Sequence, residues 1–144
     1  MADAFGRIKI DSGIKKIVVN DDGDYIALNV ADTAFYSRFA AMVDWMEIEM
    51  AHAKEIGDKL ESAKDIHEKT AAILEMTKIY EECGRQVDAF FGPDTCAKVF
   101  GGVTAPDALL LGEFFEQITP IVEEAVRERG EAINSKYNRN RKGA

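Results

Sequence analysis

Residues 32–91 read DTAFYSRFAAMVDWMEIEMAHAKEIGDKLESAKDIHEKTAAILEMTKIYEECGRQVDAFF, a stretch without a proline. In its first half Phe35, Phe39, Met42, Met46, Ala53, Ile56, Leu60 and Ala63 recur at helical spacing. In its second half Ile73, Met76, Tyr80, Cys83, Val87 and Phe90 do the same. Apolar steps of three and four are the pattern of an amphipathic helix. Asp32 suits the N-cap, where a carboxylate accepts from an orphan N–H of the first turn. One unbroken helix over 32–91 would reach about 90 Å at ~1.5 Å per residue. A compact domain of this length has a radius of gyration of only about 15 Å. Gly57 weakens the middle, and Asp65-Ile66-His67-Glu68 has the form of a cap with a glutamate three residues on. The stretch therefore predicts two helices joined near residues 61–66.

Working outward, residues 7–30 change to the period of strands. Ile8 and Ile10 alternate with charged residues, Ser12-Gly13 signals a turn, and Ile17-Val18-Val19 is β-branched. Asn20-Asp21-Asp22-Gly23-Asp24 then separates this run from Tyr25–Val30. Asp-Gly between two such runs marks a β-hairpin, because glycine reaches positive φ without steric conflict. On the other side, Gly92-Pro93 stops the second helix. Asp94–Phe100 forms a short helical turn closed by Gly101-Gly102. A last helix opens with Thr104 as cap, Pro106 in its first turn and Asp107 at its positive end. Pro120 lies inside that helix and predicts a kink or a restart there, since it removes the bond to the Glu116 carbonyl. The helix is expected to end near Tyr137, with residues 138–144 a disordered tail. The fold class is mainly α with a small N-terminal antiparallel sheet (α+β). It comprises one domain over 1–144: a hairpin region 7–30, a central helical region 32–91 and C-terminal helices 94–137 in a bundle-like body.

Composition narrows the function. The chain has 144 residues, 47% of them hydrophobic, enough for one domain with a core of its own. A net charge of −8 opposes nucleic-acid binding, so no nucleic-acid partner is expected. Six basic residues (Arg127, Arg129, Lys136, Arg139, Arg141, Lys142) and two acidic ones (Glu128, Glu131) give residues 127–142 a charge of +4, leaving −12 for the rest. Such an end suits the negative pole of a helix dipole, or an acidic partner surface. Cys83 and Cys96 show neither metal spacing nor a redox motif, as expected of reduced intracellular thiols. No signal peptide and no membrane-spanning run is visible, which predicts a cytoplasmic protein without a membrane partner.

The chemistry-bearing motifs are thin. Asp21-Asp22-Gly23-Asp24 lacks the flanking helices and closing glutamate of an EF-hand. Glu49-x-x-His52 occurs once, whereas a di-metal bundle needs the motif twice and two further glutamates. His67-Glu68 lacks the second histidine of a zinc protease. Cys83 sits on the apolar stripe, where cysteine behaves as a small hydrophobe. Gly101-Gly102 has no strand before it and no lysine after it, unlike a phosphate loop. No catalytic residue, metal ligand or cofactor is expected.

Phe39, Met42, Trp45, Met46 and Met50 form a methionine-rich stripe. Methionine fills cores and also lines adaptable grooves. The stripe looks longer than the rest of the chain can cover, and an uncovered apolar stripe is an interface.

Val87-Asp88-Ala89-Phe90-Phe91-Gly92, followed after a short insert by Lys98-Val99-Phe100-Gly101-Gly102, resembles the C-terminal half of tail assembly chaperones from long-tailed (siphovirus-like) bacteriophages. In that family one helix ends in a Phe-Gly pair, a short helical turn ends in another, and a final helix carries a basic tail. The order of strands, central helices and double Phe-Gly element extends the resemblance over most of the chain. Only the structural pairs Phe91-Gly92 and Phe100-Gly101 carry over, since the family has no catalytic motif. The resemblance implies a non-enzymatic factor in the cytoplasm of the infected host, absent from the mature virion. Such a factor coats the tape measure protein and assists recruitment of tail tube subunits. Phe35, Phe39, Met42, Trp45, Met46 and Met50 are then expected to serve the client or a homo-oligomer contact. A structural tail or connector protein in an oligomeric ring is the alternative. A helical ligand- or metal-binding bundle is more distant.

Overall fold

A computed structural model describes residues 3–142 of the chain. Two strands precede four helices: β1 (Lys15–Val18), β2 (Tyr25–Leu28), α1 (Phe35–Ser62), α2 (Ile66–Phe91), α3 (Thr95–Phe100) and α4 (Ala108–Lys142). The fold is mainly α with a small antiparallel sheet, as the sequence periods require.

The strands pair with Ile17 opposite Ile26 and Val18 opposite Tyr25. The turn between them is built on Asn20. Its Oδ1 accepts the backbone N–H groups of Asp22 and Asp24, and its Nδ2 donates to the Asp24 carboxylate at 2.8 Å and to the Lys98 carbonyl at 3.1 Å. Gly23 takes φ 82°, the left-handed value that favours glycine there. Ile8 and Ile10 alternate as a strand would but lie in no strand and are exposed, because no neighbouring backbone pairs with them.

α1 and α2 run antiparallel. Phe39, near the start of α1, meets Phe90 and Phe91 at the end of α2, while Gly57 lies beside the Met76 side chain. They separate at residues 63–65, inside the expected join. Asp65 caps α2 by accepting from the Glu68 N–H at 2.9 Å, and the Glu68 carboxylate reaches back to the Lys64 N–H at 3.0 Å. This is the reciprocal capping box displaced by one residue.

Several termini differ from expectation. Asp32 does not cap α1: its Oδ1 accepts from Ala34 at 3.0 Å and its carbonyl from Phe35 at 2.9 Å, which makes a turn ahead of the helix. Asp107, not Thr104, caps α4 by accepting from the Leu110 N–H at 3.0 Å, and Pro106 precedes the cap instead of lying in the first turn. α4 continues through Pro120 as one element. It also runs on through Lys142, where a disordered tail was expected from residue 138; residues 143–144 of that tail lie outside the described residues. Glu131, Ala132 and Lys136 are good helix formers, and the basic sequence at this end suits the negative pole of the helix dipole.

The core draws on Ile26 and Leu28 of the sheet, Phe35 to Met46 of α1, Cys83 to Phe91 of α2 and Leu111 to Ala125 of α4. Its centre is aromatic. Both Phe-Gly closures land on one ring: Phe91 meets Phe114 edge-on at 5.5 Å, and Phe100 meets it at 5.9 Å. Gly101 then turns the chain at φ 67°.

Candidate functional site

The methionine-rich stripe of α1 divides between core and surface. Phe35, Phe39, Met42 and Met46 are buried, whereas Trp45 and Met50 are half-buried. Of the six residues expected at a partner surface, Phe35, Phe39 and Met46 pack into the core, whereas Met42, although buried, also lines the groove beside it. Phe35 and Phe39 lie 5.2 and 5.9 Å from Phe90, and Phe39 also lies 6.4 Å from Phe115 of α4. The periodicity showed which residues share a face, but not that α2 and α4 would cover it.

What stays open is the flank of that face. Arg38, Ala41, Met42 and Trp45 of α1 and Gln86, Ala89 and Phe90 of α2 line a shallow groove of about 370 Å³. The residues fall at i, i+3, i+4 and i+7 on α1, and at i, i+3 and i+4 on α2. Each helix thus lends one row of side chains to a common seat. Met42 and Phe90 form the floor, Trp45 stands half-buried at one wall, and Arg38 and Gln86 give the rim a cation and an amide. Phe90 is held by Phe35 and Phe39 beneath it and by Phe91 at 4.7 Å, so the floor is preformed. An apolar seat between two helices, rimmed with polar groups, accepts a third amphipathic helix. Its α2 half, Gln86, Ala89 and Phe90, escaped the sequence reading, because a groove shared by two helices is not described by the spacing of either.

A second groove, of about 450 Å³, opens between β1, α3 and α4. Ile17, Val19, Val99, Phe100 and Phe114 supply apolar walls, with Glu113 at the edge. The β-branched run Ile17-Val18-Val19 signalled a strand, but nothing local indicated which helices it would face.

The remaining chemistry is muted. Burial, then the nearby Glu49 and Glu82 charges, pushes the Cys83 thiol up to about 11. Burial and the Asp88 charge push Cys96 up to about 12. Both thiols are therefore protonated at neutral pH, the opposite of an activated nucleophile. Cys96 Sγ donates to the Gly84 carbonyl at 3.4 Å. His52 and His67 are exposed on separate helices. Among the described residues, no group of three or more His, Cys, Asp or Glu is placed to hold a metal ion, and no helix is long and apolar enough to cross a membrane.

The chain belongs to a family of unknown function, DUF6673, whose model matches residues 22–144. No curated protein matches it, and no solved structure does.

Proposed function

We propose that this protein is a bacteriophage tail assembly chaperone: it binds the tape measure protein, keeps it soluble and aids recruitment of tail tube subunits, without catalysis. It acts in the cytoplasm of the infected host, and the finished virion does not contain it. The observation that carries the reading is the preformed apolar groove floored by Met42 and Phe90 and walled by Trp45. A tape measure protein is a long helical apolar chain, and such a groove offers each of its segments a helix-sized seat. A net charge of −8 keeps the loaded complex soluble. The double Phe-Gly element supports the same reading, since both closures fix α3 and α4 to the end of α2 that builds the groove.

Co-expression with the tape measure protein encoded by the same phage is the test. The client is expected in the soluble fraction with the wild-type chain and in inclusion bodies with Trp45→Glu. A client that stays insoluble with the wild type, together with this protein in purified virions, would favour a structural tail component instead.

A further inference from the structure

The N-terminal arm has the sequence of a strand and no partner. In residues 5–11, FGRIKID, Ile8 and Ile10 alternate with Arg7 and Lys9, and the two isoleucines are 87% and 80% exposed. Phe5 is fully exposed. Such alternation is the pattern of a strand with one covered face. The arm joins β1 with no turn between residues 11 and 14, and Gly13 passes beside the Arg129 guanidinium.

β1 offers the backbone that the arm lacks. Val19 donates to the Asp24 carbonyl at 2.9 Å, Ile17 stands opposite Ile26, and Lys15 stands opposite Leu28. Bonded positions alternate along an antiparallel pair, so Lys15, Ile17 and Val19 turn their N–H and C=O groups to β2. Lys16 and Val18 turn theirs to the open edge, and among the described residues no backbone group outside the sheet bonds to them. Against α4 the same strand borders two grooves, of about 450 and 380 Å³, which share Ile17 and Ile121 and so run into one another. Together they follow α4 from Leu110 to Glu128, about 27 Å at ~1.5 Å per residue. Seven extended residues reach about 24 Å at ~3.4 Å each. The arm of the same copy starts at the wrong end of this groove. Lys15 pairs with Glu128 at one end, whereas Phe100 and Leu110 line the other, beside Val19. An arm that leaves at Lys15 without a turn runs away from those walls.

We infer that residues 5–11 of one copy add a third strand to the open edge of β1 in a second copy, over the groove between β1 and α4. Backbone bonds to Lys16 and Val18 hold the strand, and apolar side chains fill the groove. In antiparallel register with Ile10 opposite Ile17, Ile8 falls opposite Val19, and both isoleucines share the groove face of the sheet. Arg7 and Lys9 then stand on the solvent face with Lys16 and Val18. The inference does not depend on the chaperone reading, because it concerns the purified chain alone.

Sedimentation over micromolar to submillimolar concentration tests it, together with amide exchange. The wild type is expected to assemble, and assembly should protect the Lys16 and Val18 amides. Ile8→Glu combined with Ile10→Glu, and separately Ile121→Glu, should each give a monomer with unchanged helical circular dichroism, since all three side chains are exposed. Mixed together, the two variants should form a 1:1 pair and nothing larger, because one keeps the groove and the other keeps the arm. Val18→Pro removes one edge donor at a side chain 67% exposed and leaves the bonds to β2 in place, so assembly should weaken severalfold. A wild type that stays monomeric, a mixture that stays monomeric, an arm variant that still assembles, or an unchanged constant in Val18→Pro would overturn the inference. So would a monomer whose Lys16 and Val18 amides are protected, which would mean that the arm closes on its own β1.

Discussion

The Asp88 carboxylate, in the last turn of α2, accepts the backbone N–H of Cys96, in the first turn of α3, at 2.9 Å. One side chain thereby satisfies an orphan donor across the Gly92-Pro93 corner. Asp94 beside it takes a left-handed φ of 64° with no capping bond from its own side chain, so Asp88 does the work of the missing cap.

Asp88→Ala should therefore lower stability by about 1 kcal/mol, the usual loss for a helix cap. The change would be read as a lower urea midpoint with an unchanged slope. Asp88→Asn, which keeps an acceptor oxygen, should lose less. Equal losses in the two variants would mean that charge, not hydrogen bonding, holds the corner.

Phe39→Ala and Trp45→Ala should separate core from groove. Phe39 touches Phe90, Phe91 and Phe115, and deleting its ring should destabilise the fold by about 3–5 kcal/mol. Trp45 is half-buried, so its removal should cost much less stability and instead weaken client binding. As the only tryptophan, it also reports on its own site: seating of an apolar helix should shift its emission to the blue. An emission spectrum unmoved by a client that binds would place the client elsewhere.

The thiols make alkaline pH destabilising. Cys83 and Cys96 titrate at about 11 and about 12 in the fold, against an ordinary value near 9. Burial raises Tyr80 in the same direction. Below about pH 9 folded and unfolded chains hold the same thiol protons, and nothing changes. Above it the unfolded chain releases protons that the folded chain retains, so stability falls until the folded thiols also titrate. With both groups contributing, the slope approaches about −2.7 kcal/mol per pH unit. Cys83→Ala with Cys96→Ala should flatten a plot of urea stability against pH between 9 and 11.

Pro120→Ala should stabilise the chain. Pro120 is exposed and inside α4, so it lacks the hydrogen bond to the Glu116 carbonyl, and its ring lines only a shallow groove beside Lys15–Ile17. Restoring the bond should add on the order of 1–3 kcal/mol and raise the melting temperature. A lowered melting temperature would show that the local geometry at Pro120 is needed to lay α4 across the sheet.

Periodicity placed the two central helices, while cap and turn residues placed their join, the hairpin and the stops at Gly92-Pro93 and Gly101-Gly102, because each depends on residues within a turn or two of one another. Asp65 with Glu68 and Gly23 after Asp22 are such local signals. The errors arose where distant partners decide. Phe39 and Met46 lie on a stripe that a partner or a core could equally cover, and only the placement of Phe90, Phe91 and Phe115 makes it core. Ile8 and Ile10 read as a strand, yet a strand exists only where another backbone pairs with it. The groove residue Phe90 went unassigned for the same reason: a groove belongs to two helices, and neither one's spacing describes it.

Asn20 joins the turn of the β-hairpin to the Lys98 carbonyl of α3. During synthesis, β1 and β2 leave the ribosome long before residue 98 exists, and a two-stranded hairpin alone is marginal in water. The α1–α2 pair, whose partners are close in sequence, can form while translation continues. A segment made before α1 and α2 is thus fixed after them, and amide protection in a nascent-chain series should rise in α1 and α2 before it rises in β1 and β2.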